Sequence, residues 1–98
     1  VKLTESEIAQ ELAKVADWTL DQKSIVRRYR FESFRNAMAF ANAVADIAEV
    51  KNHHPFIAID YKFVTLRLTT WHQGGLTKAD FEEATLFDEI YASMSSGA

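Results

Sequence analysis

The 98-residue sequence has no cysteine, one proline, three glycines and no surplus of basic residues. Without cysteine there is no disulfide framework, no thiolate metal ligand and no thiol nucleophile, which removes several enzyme classes and fits a reducing compartment. Eleven Lys and Arg against fourteen Asp and Glu leave a formal charge of −3, so the clustered basic face that nucleic acid requires is not expected. No apolar run approaches the roughly 18 residues of a membrane span, and the opening VKLTESEIAQ is polar rather than signal-like. The expectation is a soluble, cytoplasmic protein with neither a membrane nor a nucleic acid as direct partner.

What is present is an ordinary globular composition, 48% hydrophobic and 26% charged, in a length that suits one domain spanning residues 1–98. Thr4 followed by Glu7 reads as a capping box, and Ile8, Leu12 and Val15 recur at helical spacing, predicting a first helix over 4–15. Trp18 to Leu20, the polar DQKS and then IVRRYRF predict two strands joined by a turn, with Ile25, Tyr29 and Phe31 on one period-2 face. Arg27 falls in that apolar phase, which suits a sheet edge or a pairing with an acid.

From Ser33, Phe34, Met38, Ala41, Ala45 and Ala48 mark a helix face that Phe40, Val44 and Ile47 widen. This second helix must end before Pro55, which disfavours helical geometry at His54. Alternation over 56–61 and 63–71 predicts a hairpin, with Tyr61 in phase with Ile57 and Ile59 as a core aromatic. HQGG then breaks the strand, Thr77 caps, and Phe81, Ala84, Phe87, Tyr91 and Met94 predict a third helix over 77–94, followed by the small polar tail SSGA. The order α-β-β-α-β-β-α, with one apolar phase per strand, predicts an α+β fold of two layers: a four-stranded antiparallel sheet with three helices on one face. The other sheet face is left to water, a partner or a ligand.

The chemistry-bearing stretch is KNHHP at 51–55. Adjacent histidines in an extended segment diverge, whereas metal ligands four apart on a helix or two apart on a strand converge; with His72 the only other histidine, no metal site is predicted. No nucleophile elbow such as G-x-S-x-G occurs, and the glycines at 74–75 lack the Lys-Ser/Thr of a phosphate loop. Acid–base work needs only an imidazole within hydrogen-bond reach of the reacting group. The structural alternative is that one histidine caps the helix and the other packs under Pro55.

Glu49, His53, His54, Pro55, Tyr61, Trp71 and Asp80 stand at spacings that, with GGLTKADF at 74–81, resemble the signature of the pterin-4a-carbinolamine dehydratases. The resemblance runs over nearly the whole chain. It implies the fold just read, a homodimer or homotetramer, and loss of water from a 4a-hydroxytetrahydropterin to give the quinonoid dihydropterin, without metal or cofactor. This reaction recycles tetrahydropterin for aromatic amino acid hydroxylases. His53 would then be the main acid–base catalyst, and His54 would bind and orient the pterin. Glu49, Asn52, Thr70, Trp71 and His72 complete the expected substrate-binding set. Glu49 would hold an imidazole in its useful tautomer; its alternative is a solvated acid at the helix end. Asp80, three residues after Thr77, suits stabilisation of a helix N-terminus. Trp71 departs from the better-known animal members, which have a third histidine there. Its indole could stack on a pterin or fill an oligomer interface, and His72 could supply the missing imidazole. The resemblance also admits a protein-binding or dimerisation module, or a relative serving molybdopterin metabolism.

Overall fold

Thr4 and Glu7 open the first helix by exchanging hydrogen bonds: the Glu7 N–H donates to Thr4 Oγ1 at 3.2 Å, and the Thr4 N–H donates to Glu7 Oε1 at 2.8 Å. In the computed structural model, which describes residues 1–96, this helix is α1 (Glu5–Lys14). After it come β1 (Thr19–Asp21), β2 (Ser24–Arg30), α2 (Phe34–Lys51), β3 (Phe56–Asp60), β4 (Phe63–Leu68), a 3-10 turn over Trp71–Gln73, and α3 (Lys78–Ser96). The expected polar tail begins inside α3 at Ser95 and Ser96, and Gly97 and Ala98 lie outside the described residues.

The strands form one antiparallel sheet in the order β1-β2-β4-β3. The register sets Ile25 beside Leu68, Tyr29 beside Val64 and Ile57 beside Leu66, so three strands share one apolar face. Ile8 and Leu12 of α1, Phe40 and Val44 of α2, and Phe81 and Phe87 of α3 join these residues in one cluster, which places all three helices on that face. The α+β, two-layer expectation holds. Arg27, on an interior strand, is paired rather than at an edge: its Nη1 donates to Asp88 Oδ1 at 2.8 Å. The same oxygen accepts from Trp18 Nε1 at 3.0 Å and from the Tyr29 hydroxyl at 2.6 Å, tying β2 to α3. Burial, and then the Asp88 carboxylate, hold the Tyr29 phenol protonated far above its ordinary range.

Three local expectations are corrected. The buried stripe of α2 is Ala37, Phe40, Ala41, Val44 and Ala48, while Phe34, Met38 and Ala45 are exposed. Because α2 packs against both α3 and the sheet, the stripe turns toward the residues expected only to widen it. The final strand stops at Leu68 rather than 71, because Thr70 bridges to Gly75 and folds Trp71–Gly74 back as a loop, with Gly74 at φ +77°. Tyr61 is no core aromatic. Pairing of Asp60 with Phe63 leaves Tyr61 and Lys62 as the hairpin loop, where Tyr61 takes φ +55° and is 62% exposed.

Candidate active site

The site begins where α2 ends. Asn52 adopts the left-handed conformation at φ +51°, a position asparagine tolerates better than most side chains. The His53 N–H donates to the Ala48 carbonyl at 3.1 Å and the Asn52 N–H to that of Glu49 at 3.3 Å, closing the helix. This reversal brings His53 to the first turn of α3, where its Nε2 lies 2.7 Å from Asp80 Oδ1.

Asp80 is fully buried, and its other oxygen accepts from Thr70 Oγ1 at 2.8 Å and from the Thr77 N–H at 2.9 Å. The Thr77 hydroxyl, expected to cap α3, is turned to Thr70 Oγ1 instead, at 2.9 Å. An ionised carboxylate only accepts, so Asp80 selects the His53 tautomer with the proton on Nε2 and leaves Nδ1 with its lone pair. The His53 side chain is 14% exposed, so the ring is not sealed from solvent. Asp80, read from the sequence as a helix-end acid, is therefore also the partner of His53.

His54 turns outward, 54% exposed, and its Nε2 pairs with Glu49 Oε2 on the last turn of α2. Glu49 thus holds an imidazole, that of His54. Asn52 is exposed beside the pair, and its visible part is to turn the chain. Thr70 is buried and spends its hydroxyl on Asp80 and Thr77, so it serves the site by fixing that carboxylate. Trp71 and His72 follow on the exposed 3-10 turn, Trp71 at 87% exposure. Trp71 borders a cleft of about 370 Å³ that runs to Asp21, Lys23 and Arg67 and includes neither His53 nor His54. Among the described residues no group of three or more His, Asp and Glu is arranged to hold a metal ion.

One residue of this region escaped the sequence reading. Glu83, one turn beyond Asp80, is 1% exposed, and neither carboxylate oxygen has a hydrogen-bond partner. Burial pushes its carboxyl up to about 7; His53 opposes the rise, Asp80 adds to it, and His54 and Lys51 oppose it. The available signal was its phase: Glu83, Phe87, Ile90 and Met94 follow at steps of four, three and four, so an acid stands in an apolar stripe.

Residues 1–90 match the family model described as pterin 4 alpha carbinolamine dehydratase. The chain belongs to that family. Relatives that carry the family's name include a Chloroflexus aurantiacus protein, 48% identical over 89 residues that cover 91% of this chain and 96% of the relative. Another is from Sulfurisphaera tokodaii, 43% identical with the same coverage of both chains. Among solved structures, the transcriptional coactivator/pterin dehydratase of Brucella melitensis superposes with a TM-score of 0.89 at 30% identity, covering 93% of this chain and 99% of that one. A pterin dehydratase-like protein described as a RuBisCO assembly factor in the alpha-carboxysome shares the fold at a TM-score of 0.63 and 23% identity, over 76% of this chain and 86% of that one. The pterin dehydratase fold is thus found in proteins described by different roles, and the activity of this member has to be argued from its own residues.

Proposed function

We propose that this pterin dehydratase family member is a lyase that dehydrates a 4a-hydroxytetrahydropterin to the quinonoid dihydropterin, with His53 as the acid–base group. The observation that carries the reading is the His53–Asp80 pair, a partly open imidazole backed by a buried carboxylate. In the reaction the C4a hydroxyl leaves and N5 loses its proton; the hydroxide and that proton together make the water released, and no electrons change hands. His53 Nδ1 accepts the N5 proton while Asp80 stabilises the imidazolium that forms, and the imidazolium then gives the proton to the departing hydroxide. His54, held by Glu49, orients the pterin, and the Trp71 indole offers a flat apolar surface for its ring. Asn52, Thr70 and His72 flank these contacts. This activity would serve tetrahydropterin recycling in the cytoplasm.

The working form is a homodimer or homotetramer. Its support is β3, an edge strand with an unpaired side and exposed Phe56 and Ile59, one on each face of the sheet, an edge that isolated chains seldom leave uncovered. The same exposed surface supports a second reading, a protein-binding module, in which turnover is absent. The two separate in one experiment: the dehydration rate of 4a-hydroxytetrahydropterin with the purified protein, beside His53→Ala. Acceleration by the wild type that the variant loses is expected; no acceleration by the wild type overturns the lyase reading.

A further inference from the structure

The buried carboxyl of Glu83 has no part in the reaction as just described. A buried polar group left without a partner costs stability and calls for a physical explanation. Neither oxygen reaches solvent, so no outside ligand can satisfy it without movement of the chain. It sits one helical turn along α3 from Asp80, the carboxylate that pairs with His53, and the charges of His53, Asp80, His54 and, from the last turn of α2, Lys51 bear on it. The side chain is thus buried and unpartnered on an otherwise apolar stripe, one turn along α3 from the Asp80 that pairs with His53.

We infer that Glu83 is a positioning residue that sets the charge around the His53–Asp80 pair: as a neutral carboxylic acid it leaves Asp80 the one anion behind His53, and on ionising it adds a second. The inference rests on the proposed role of His53 for its kinetic consequence, but not for its electrostatic one. When Glu83 loses its proton, which a brief opening of the chain must carry to solvent, the imidazolium of His53 gains a second carboxylate nearby, and by linkage the imidazolium eases the ionisation of Glu83. An acid in an otherwise apolar stripe then has a use that a leucine there would lack. The rise of its carboxyl toward neutral pH places the change where it would modulate turnover.

The test compares the full chain with Glu83→Gln, which copies the neutral acid, and Glu83→Leu, which packs without any polar group. The His53 ring resonances, followed by NMR against pH, are expected to bend in the wild type as the Glu83 carboxyl carbon titrates, and to lose that bend in both variants. In parallel, kcat/KM for 4a-hydroxytetrahydropterin in Glu83→Gln should match the wild type on the acid side of the inflection and depart from it by about threefold or more on the alkaline side. A His53 resonance that keeps its bend in both variants overturns the inference, as does a Glu83 carbon that titrates like an exposed glutamate. A wild type that shows the bend but no turnover upholds the coupling and overturns the lyase reading, so the two failures are distinguishable. Should Glu83→Gln not fold, Glu83→Leu carries both readouts.

Discussion

The two ring nitrogens of His53 have different fates, and the difference follows from one neighbour. An ionised Asp80 can only accept, so it accepts the hydrogen bond from Nε2–H and leaves Nδ1 with its lone pair. His54, one position later, faces a carboxylate on an exposed helix end, where an ion pair is weak and solvent competes. The two histidines of one motif are thereby divided into one backed by a buried carboxylate and one paired at the surface. Replacement of His53 by Ala should lower kcat by about a hundredfold to ten-thousandfold with an unchanged circular dichroism spectrum. Trp71→Ala should act differently, raising KM more than it lowers kcat in steady-state assays if the indole binds by stacking. An equal fall in kcat and kcat/KM for that variant would place Trp71 in the transition state instead. The double histidine and Asp80 were visible in the sequence by spacing and family resemblance, yet the pairing of His53 with Asp80 was not, since 27 residues separate them. Glu83 was not legible because the apolar period of α3, Phe81, Ala84, Phe87, Tyr91 and Met94, passes beside it, and an acid next to such a stripe ordinarily faces water.

Secondary structure elements position these side chains through their ends. The exit of α2 is set by Asn52 at φ +51°, and the entry of α3 by the Asp80 carboxylate accepting from the Thr77 N–H. A left-handed backbone costs most residues about 1–2 kcal/mol. Asn52→Gly should therefore be nearly neutral in thermal unfolding, whereas Asn52→Val should lose about that amount and activity as well, because His53 is aimed by this turn. Equal melting temperatures for the two variants would show that the left-handed position carries no strain. The elements themselves were read well where a cap or a strict period marks them, as with Thr4, Glu7 and the alternation of Val64, Leu66 and Leu68. The misreadings come from tertiary contact: α2 turned its buried stripe to meet both α3 and the sheet, and two others lie where the chain bends. Trp71 left the strand phase because Thr70 bridges to Gly75, and Tyr61 left the core because the hairpin register puts it in the loop.

For the molecule as a whole, the relevant quantity is the dependence of stability on pH. The carboxyl of Glu83 rises from its ordinary value of 4.5 to about 7 in the folded chain. A folded state that holds a proton more tightly than the unfolded state is favoured by that proton: the contribution is fully present below about 4.5 and is lost as pH rises through about 7. The rise corresponds to a loss on the order of 3 kcal/mol by the alkaline end. Urea unfolding of the wild type and Glu83→Leu should accordingly diverge as pH rises across this window, the wild type weakening relative to the variant. Parallel stability curves would mean that Glu83 reaches water in solution. The layered fold that creates this burial was predictable from one apolar phase per strand and one stripe per helix, but the charge sealed inside it depends on how α2 and α3 pack.

In the proposed mechanism Asp80 makes His53 the acid–base group by fixing its tautomer. Asp80→Asn keeps the shape of the side chain while presenting an amide N–H to Nε2, which would move the ring proton to Nδ1 and close the nitrogen that should meet N5. The decisive measurement is kcat/KM of Asp80→Asn for dehydration of 4a-hydroxytetrahydropterin, at a temperature where its melting curve shows it folded. A loss of about a hundredfold or more is predicted, and a variant as active as the wild type would contradict the account.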